Sequence, residues 1–269
     1  MTASTIVFAN NKGGTAKTTS TANLMVALTS DGFRVLGIDA DPQGHLTQLF
    51  GARDAPGTRL EDVIVVGDLS KAPSVVTERA DPQTKEQIPL AGGVHLIPCS
   101  GDLAEVALGV ARAEDAELRL RNAVALLREH YDYILIDAPP GTQPMSALAI
   151  IAADYLVIPT RPADLDMDGS EELYELVDGG SYADFNPNLR VLGLLVTQEG
   201  AKWKLAKETV LTAESADMRV IPQHIPFAVG VGRAPRFSMP TVLLEPDTRV
   251  ALAYRRVAKW LTEEVAIHA

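Results

Sequence analysis

The segment Asn11-Lys12-Gly13-Gly14-Thr15-Ala16-Lys17-Thr18-Thr19 constrains the fold more than any other stretch of this 269-residue chain. It follows an apolar run over 5–9 and opens a helical pattern over 17–30. Adjacent glycines permit backbone angles that turn successive N–H groups to one side, making a nest for an anion. A helix beginning at Lys17 adds the positive end of its dipole. In such a loop the lysine reaches the β- and γ-phosphates and the following hydroxyl, here Thr18, reaches a magnesium ion. A strand–loop–helix unit of this kind belongs in an α/β sheet whose ligands sit at the carboxyl ends of parallel strands. The strict G-x-x-x-x-G-K-[ST] pattern is not met, because Asn11 and Ala16 stand at its two glycine positions. The form present is K-G-G-x-x-K-[ST], with a second lysine, Lys12, at the start of the loop.

Two acidic segments fit the same site. Val35-Leu36-Gly37-Ile38-Asp39-Ala40-Asp41-Pro42-Gln43-Gly44 ends a buried strand with two carboxylates, and Tyr133-Ile134-Leu135-Ile136-Asp137-Ala138-Pro139-Pro140-Gly141 ends another with one. A carboxylate there holds magnesium or orients an attacking water. Strand candidates are 5–9, 34–39, 94–98, 132–137, 155–160, 190–197 and 219–221; helical patterns cover 17–30, 114–130, 143–152, 168–178, 202–216 and 247–266. Their alternation, with apolar residues consecutive within strands, predicts a doubly wound, mostly parallel α/β sheet with helices on both faces. Residues 51–93, rich in Pro, Gly and charge, read as an irregular excursion, so one domain over 1–269 is expected, without an N-terminal helix-turn-helix. One cysteine, Cys99, excludes an intramolecular disulfide framework and multi-cysteine metal sites. No targeting segment or membrane-length apolar run is visible, which predicts a cytoplasmic protein without a membrane partner.

The three motifs, in this order and spacing, resemble the ParA/MinD group of deviant Walker-type ATPases, and ParA partition proteins above all. Leu192-Gly193-Leu194-Leu195-Val196-Thr197, Ile225-Pro226 and Ala234-Pro235 also fall where that family has similar words, so the resemblance spans nearly the whole chain. It implies a P-loop ATPase using ATP and Mg²⁺. By that resemblance Gly13, Gly14, Thr15, Ala16, Lys17, Thr18 and Thr19 hold the phosphates, and Lys12 crosses an ATP-bound homodimer to the partner's nucleotide. Asp41 orients the attacking water, Thr18, Asp39 and Asp137 serve the magnesium, and Pro226 lines the adenine pocket. It further implies plasmid or chromosome partition, with non-specific DNA bound by the ATP dimer, association with the nucleoid, and hydrolysis stimulated by a ParB-like adaptor. Two other functions stay open: a positioning ATPase for a protein cargo, and an ATP-dependent ligase of the dethiobiotin or cobyrinate type.

The charge map bears on the DNA. The chain carries 24 Lys+Arg against 35 Asp+Glu, net −11, which argues against coating nucleic acid through overall charge. Residues 201–269 differ: ten basic against seven acidic residues, net +3, where residues 1–200 hold 14 against 28, net −14. On the 247–266 helix an apolar stripe of Val250, Tyr254, Val257, Leu261 and Val265 leaves Arg255, Arg256 and Lys259 on the other side. Those three, with Lys202, Lys204, Arg233 and Arg236, are the DNA-contact candidates. Asp164-Leu165-Asp166-Met167-Asp168-Gly169 with Glu175 matches a calcium-loop pattern. The pattern is set aside, because Pro159 and Pro162 forbid the helix that must precede such a loop.

Overall fold

A computed structural model describes residues 2–67, 69, 71, 73–80, 87–113, 115–162, 164–199, 203–228, 231 and 239–268. For residues 66, 77–80, 87–92, 164–168, 203–205 and 268 it describes the backbone alone. Seven strands, β1 (Ser4–Phe8), β2 (Val35–Asp39), β3 (Ser74–Ala80), β4 (Gln87–Ile97), β5 (Tyr133–Asp137), β6 (Tyr155–Thr160) and β7 (Arg190–Val196), form one sheet. Their order is β3-β4-β2-β5-β1-β6-β7. Every neighbouring pair is parallel except β3–β4, which is antiparallel. Among the described residues the α-helices are α1 (Lys17–Ser30), α2 (His45–Leu49), α3 (Leu60–Val66), α4 (Leu103–Val110), α5 (Arg119–Leu127), α6 (Pro144–Ile151), α7 (Asp164–Asp178), α8 (Trp203–Ser215), α9 (Thr241–Leu244) and α10 (Arg249–His268).

The expected α/β architecture is present. Consecutive apolar residues in β1, β2, β5 and β6 face alternately into two cores. Val7, Ile38, Ile136 and Ile158 point into the core under α3 to α7, while Ile6, Phe8, Leu135 and Val157 point into the core under α1, α2 and α10. Both faces of these strands are thus covered, which is why polar alternation is missing from their sequences. Helix α1 is buried nearly all round, so its small and polar residues pair instead of facing water. Ser20 Oγ lies 3.2 Å from Tyr254 Oη, and Asn23 Oδ1 accepts the Val242 N–H at 2.8 Å. The close approach of α1 to β2 is eased by Gly37, where a β-carbon would have to displace the end of the Met25 side chain.

Two expectations need correction, and a third holds. The 51–93 stretch is not an irregular excursion: it contains α3, β3 and the first part of β4. The 219–221 segment is no strand, and only Val220 makes a bridge, to Leu194. Residues 164–168 lie inside α7, so the acidic calcium-loop pattern is helical there, which agrees with setting it aside.

Candidate functional site

Strand register assembles the site. Asp137 at the end of β5 pairs with Phe8 of β1 on one side and with Asp39 of β2 on the other. The chain leaving β1 forms the glycine loop directly above these carboxyl ends. Gly14 has φ 75° and Ala16 φ 70°, so two of the loop's residues take the left-handed conformation that turns N–H groups toward a common centre. Lys17, the first residue of α1, is buried, and its Nζ donates to the carbonyls of Lys12 at 2.9 Å and Asn10 at 3.3 Å. An ammonium has three donors, so this anchoring is compatible with a phosphate contact. Burial pushes its pKa down, against the charges of Asp137 and Asp41.

The three carboxylates differ in what they touch. Asp39 is engaged: its Oδ2 accepts both the N–H and the hydroxyl of Thr47 at 2.7 Å, and its Oδ1 accepts the Asp41 N–H at 3.3 Å. Asp41 Oδ1 accepts the Gln43 N–H at 2.9 Å and faces the cleft. Asp137 is fully buried, and neither of its oxygens has a hydrogen-bond partner among the described residues. The nearby Thr18 hydroxyl and the charge of Lys17 favour its charged form. Burial pushes the Asp39 carboxyl up to about 6 and the Asp137 carboxyl well above the carboxylate range, each raised further by neighbouring carboxylates. Buried acids crowded in this way favour a cation. No cluster of three or more His, Cys, Asp or Glu among the described residues forms a metal cage. The oxygen donors present, the Thr18 hydroxyl and these carboxylates, fit magnesium, which takes one or two protein ligands and shares the rest with phosphates and water.

Helix α7 braces the loop from the other side. Asn10 Nδ2 donates to Ser170 Oγ and to the Pro159 carbonyl, Asn10 Oδ1 accepts the Lys12 N–H, and Asn11 Nδ2 reaches Glu172 Oε2. The exposed Lys12 lies along α7 at Gly169, where a β-carbon would come within 3.0 Å of Lys12 Cγ and 3.1 Å of its Cε.

The loop and Asp41 line a cleft of about 630 Å³ that continues between Leu49, Pro226, Phe227 and Tyr254. Pro226 stands in this apolar part, the place expected of a base pocket. Sequence reasoning gave no role to Thr197, although it closes the Leu192–Thr197 word, and it missed Gln198 and Phe227, which no local pattern marks. Of the DNA-contact candidates, Arg255, Arg256 and Lys259 are exposed along α10, while Val250, Tyr254, Val257, Leu261 and Val265 are buried as the stripe predicts. Lys202, Arg233 and Arg236, and the side chain of Lys204, lie outside the described residues. Arg249 and Arg256 line a second cleft of about 410 Å³ that shares Pro226 with the first. No helix among the described residues is long and apolar enough to cross a membrane.

A family model described as an AAA domain matches residues 3–191. The chromosome partitioning protein ParA of Caulobacter vibrioides is 31% identical over 259 residues, covering 94% of this chain and 92% of that protein. The chromosome-partitioning ATPase Soj of Thermus thermophilus is 33% identical over 262 residues, covering 94% and 93%. The chain belongs to the ParA/Soj family of ATPases. The likeness of this ParA-family chain extends to solved structures. One from Mycobacterium smegmatis, described as cobyrinic acid a,c-diamide synthase with bound ADP and magnesium, has a TM-score of 0.79 at 25% identity, covering 99% of this chain and 97% of that one.

Proposed function

We propose that the chain is a one-domain, ATP- and Mg²⁺-dependent partition switch in the cytoplasm. With ATP bound it pairs with a second copy and lies on nucleoid DNA without sequence preference; a ParB-like adaptor stimulates hydrolysis and releases it. One observation carries this reading: the glycine loop, Lys17, Thr18 and Asp41 line one cleft, with the buried Asp137 carboxylate at the end of the neighbouring strand, in a chain 31–33% identical to partition ATPases.

The roles follow from the residues' chemistry. Loop N–H groups and Lys17 hold the phosphate oxygens, with Thr19 at the near end of α1. Thr18 and Asp137 hold magnesium, and Asp39 supports it by fixing Thr47 and the Asp41 turn. Magnesium, when bound, draws negative charge from the phosphate oxygens. Asp41 orients the attacking water. Lys12 supplies its cation to the partner's nucleotide, and cations given in trans to phosphoryl transfer contribute about 10³–10⁵ in rate. Arg255, Arg256 and Lys259 contact DNA phosphates, and we extend the same role to Lys202, Lys204, Arg233 and Arg236.

The ligase-type alternative draws on the cobyrinic acid synthase likeness at 25% identity, below the identity to the partition proteins. One experiment separates them: DNA binding with ADP and with a slowly hydrolysed ATP analogue. Binding with the analogue alone is expected. Absent or nucleotide-independent binding overturns the partition reading. Retained nucleotide-driven dimerisation without DNA binding points to a protein cargo.

A further inference from the structure

We propose that Thr197 and Gln198, at the carboxyl end of β7, are positioning residues that preset the phosphate cradle for its anion. The inference rests on the reading that the cleft takes a nucleotide. In a planar trans peptide the C=O and the following N–H point in opposite directions. Pinning a carbonyl on the outside of the loop therefore aims the next N–H inward. Gln198 Nε2 donates to the Gly14 carbonyl at 2.8 Å, and Thr197 Oγ1 donates to the Thr15 carbonyl at 3.0 Å. These two bonds orient the N–H groups of Thr15 and Ala16, the stretch flanked by the left-handed Gly14 and Ala16. Lys17 does the same from within the loop by holding the Lys12 carbonyl. Without such donors, loop peptides must rotate when the anion arrives, and that ordering is subtracted from affinity.

The two residues are built for the task. Thr197 is fully buried, its backbone N–H is held on the Thr160 carbonyl at 2.8 Å, and its hydroxyl lies between that carbonyl at 3.4 Å and the nearer Thr15 carbonyl. Gln198 sits at φ 56°, a left-handed conformation that disfavours a side chain, yet its amide is spent on the loop 184 residues away. Backbone held out of its preferred region at a binding cleft is stored where geometry is over-determined. Gln198 also leads into Glu199, which bridges Pro226 on the apolar side of the cleft. The pair thus ties the base-side wall to the phosphate loop.

The test uses the full chain with Mg²⁺ and titrates ADP and AMP by calorimetry. Gln198→Gly removes the amide while relieving the left-handed strain. Its melting temperature should not fall, and its ADP affinity should drop about 5–10-fold, in line with one lost preorganising contact. Thr197→Val, of the same shape but without the hydroxyl, should show a similar drop, and Thr197→Ser should restore it. AMP lacks the β-phosphate, so its affinity should change less than that of ADP. Variants that bind ADP within twofold of wild type overturn the inference, as does an equal loss for ADP and AMP. Failure of the wild-type chain itself to bind ADP overturns the nucleotide reading instead.

Discussion

Ala16 carries the clearest residue-level tension. It takes φ 70° and ψ 29° immediately before α1, a conformation that costs an L-residue with a side chain about 1–2 kcal/mol. Glycine there avoids the cost but loses about 0.4–1 kcal/mol through the freer unfolded chain. Ala16→Gly should therefore stabilise the nucleotide-free chain by about 0.5–1 kcal/mol, a rise in melting temperature of about 1–4 °C. A lower melting temperature would mean that the methyl group is held by packing worth more than the strain. Asp137 shows the opposite bargain, a side chain kept against stability. Its folded-state pKa is raised by burial and by Asp39 and Asp41, so the folded chain favours the protonated acid. The stability that this group contributes is full below the unfolded pKa near 3.9 and is lost as pH rises through the folded value. Asp137→Asn should thus raise the melting temperature of the metal-free chain, and by more at pH 8 than at pH 5. The same variant should weaken Mg²⁺-dependent nucleotide binding at least tenfold. Equal thermal shifts at the two pH values would refute the electrostatic account. These residues were legible in the sequence because each sits inside a contiguous motif. Thr197 and Gln198 were not, because their partners lie 182 and 184 residues away and the bonds depend on strand order.

At the level of elements, the strands that end at the nucleotide cleft and the helix α1 that opens from its loop were readable from periodicity and loop chemistry, α1 to its very ends. What periodicity failed to mark was β3, whose antiparallel pairing with β4 at the sheet edge is broken by a register shift between Val76 and Glu78. Short helices such as α2 were also invisible, since five residues are too few to show a stripe. The role of α7 was hidden for a different reason. Its contacts with the loop are the side-chain hydrogen bonds of Ser170 and Glu172 and a place where a side chain is absent, Gly169, against which the stem of Lys12 lies. Gly169→Ala improves intrinsic helix propensity by up to about 1 kcal/mol, so stability should hold or rise. The added methyl must push Lys12 aside, and Asn11 lies only 3.5 Å away. ATP turnover and analogue-induced dimerisation, measured by light scattering, should fall several-fold at unchanged melting temperature. If both persist, the position of Lys12 is set by the partner copy and not by α7.

Across the whole molecule, charge is divided as the nucleotide and DNA functions would need it. The net −11 gathers in residues 1–200, and the +3 of residues 201–269 includes the exposed arginines of α10. For the DNA contact proposed above, the net negative charge of the rest of the chain would favour a one-sided, releasable contact along this face. The face also lies beside the main cleft: Arg256 borders a cleft whose wall includes Pro226, and Pro226 lines the main cleft as well. Contacts to phosphates release counterions, so affinity should fall steeply between 50 and 200 mM salt, with each basic contact adding about 0.9 to the slope of log affinity against log salt. Arg255→Glu combined with Arg256→Glu should therefore lower DNA affinity at 50 mM salt at least tenfold and flatten that slope by about 2. Nucleotide affinity should stay as in wild type, because neither side chain lines the nucleotide cleft. Gel shifts at several salt concentrations with the ATP analogue give the slope directly. A slope unchanged by the double reversal would mean that α10 presents an ordinary solvated face and that DNA is held elsewhere.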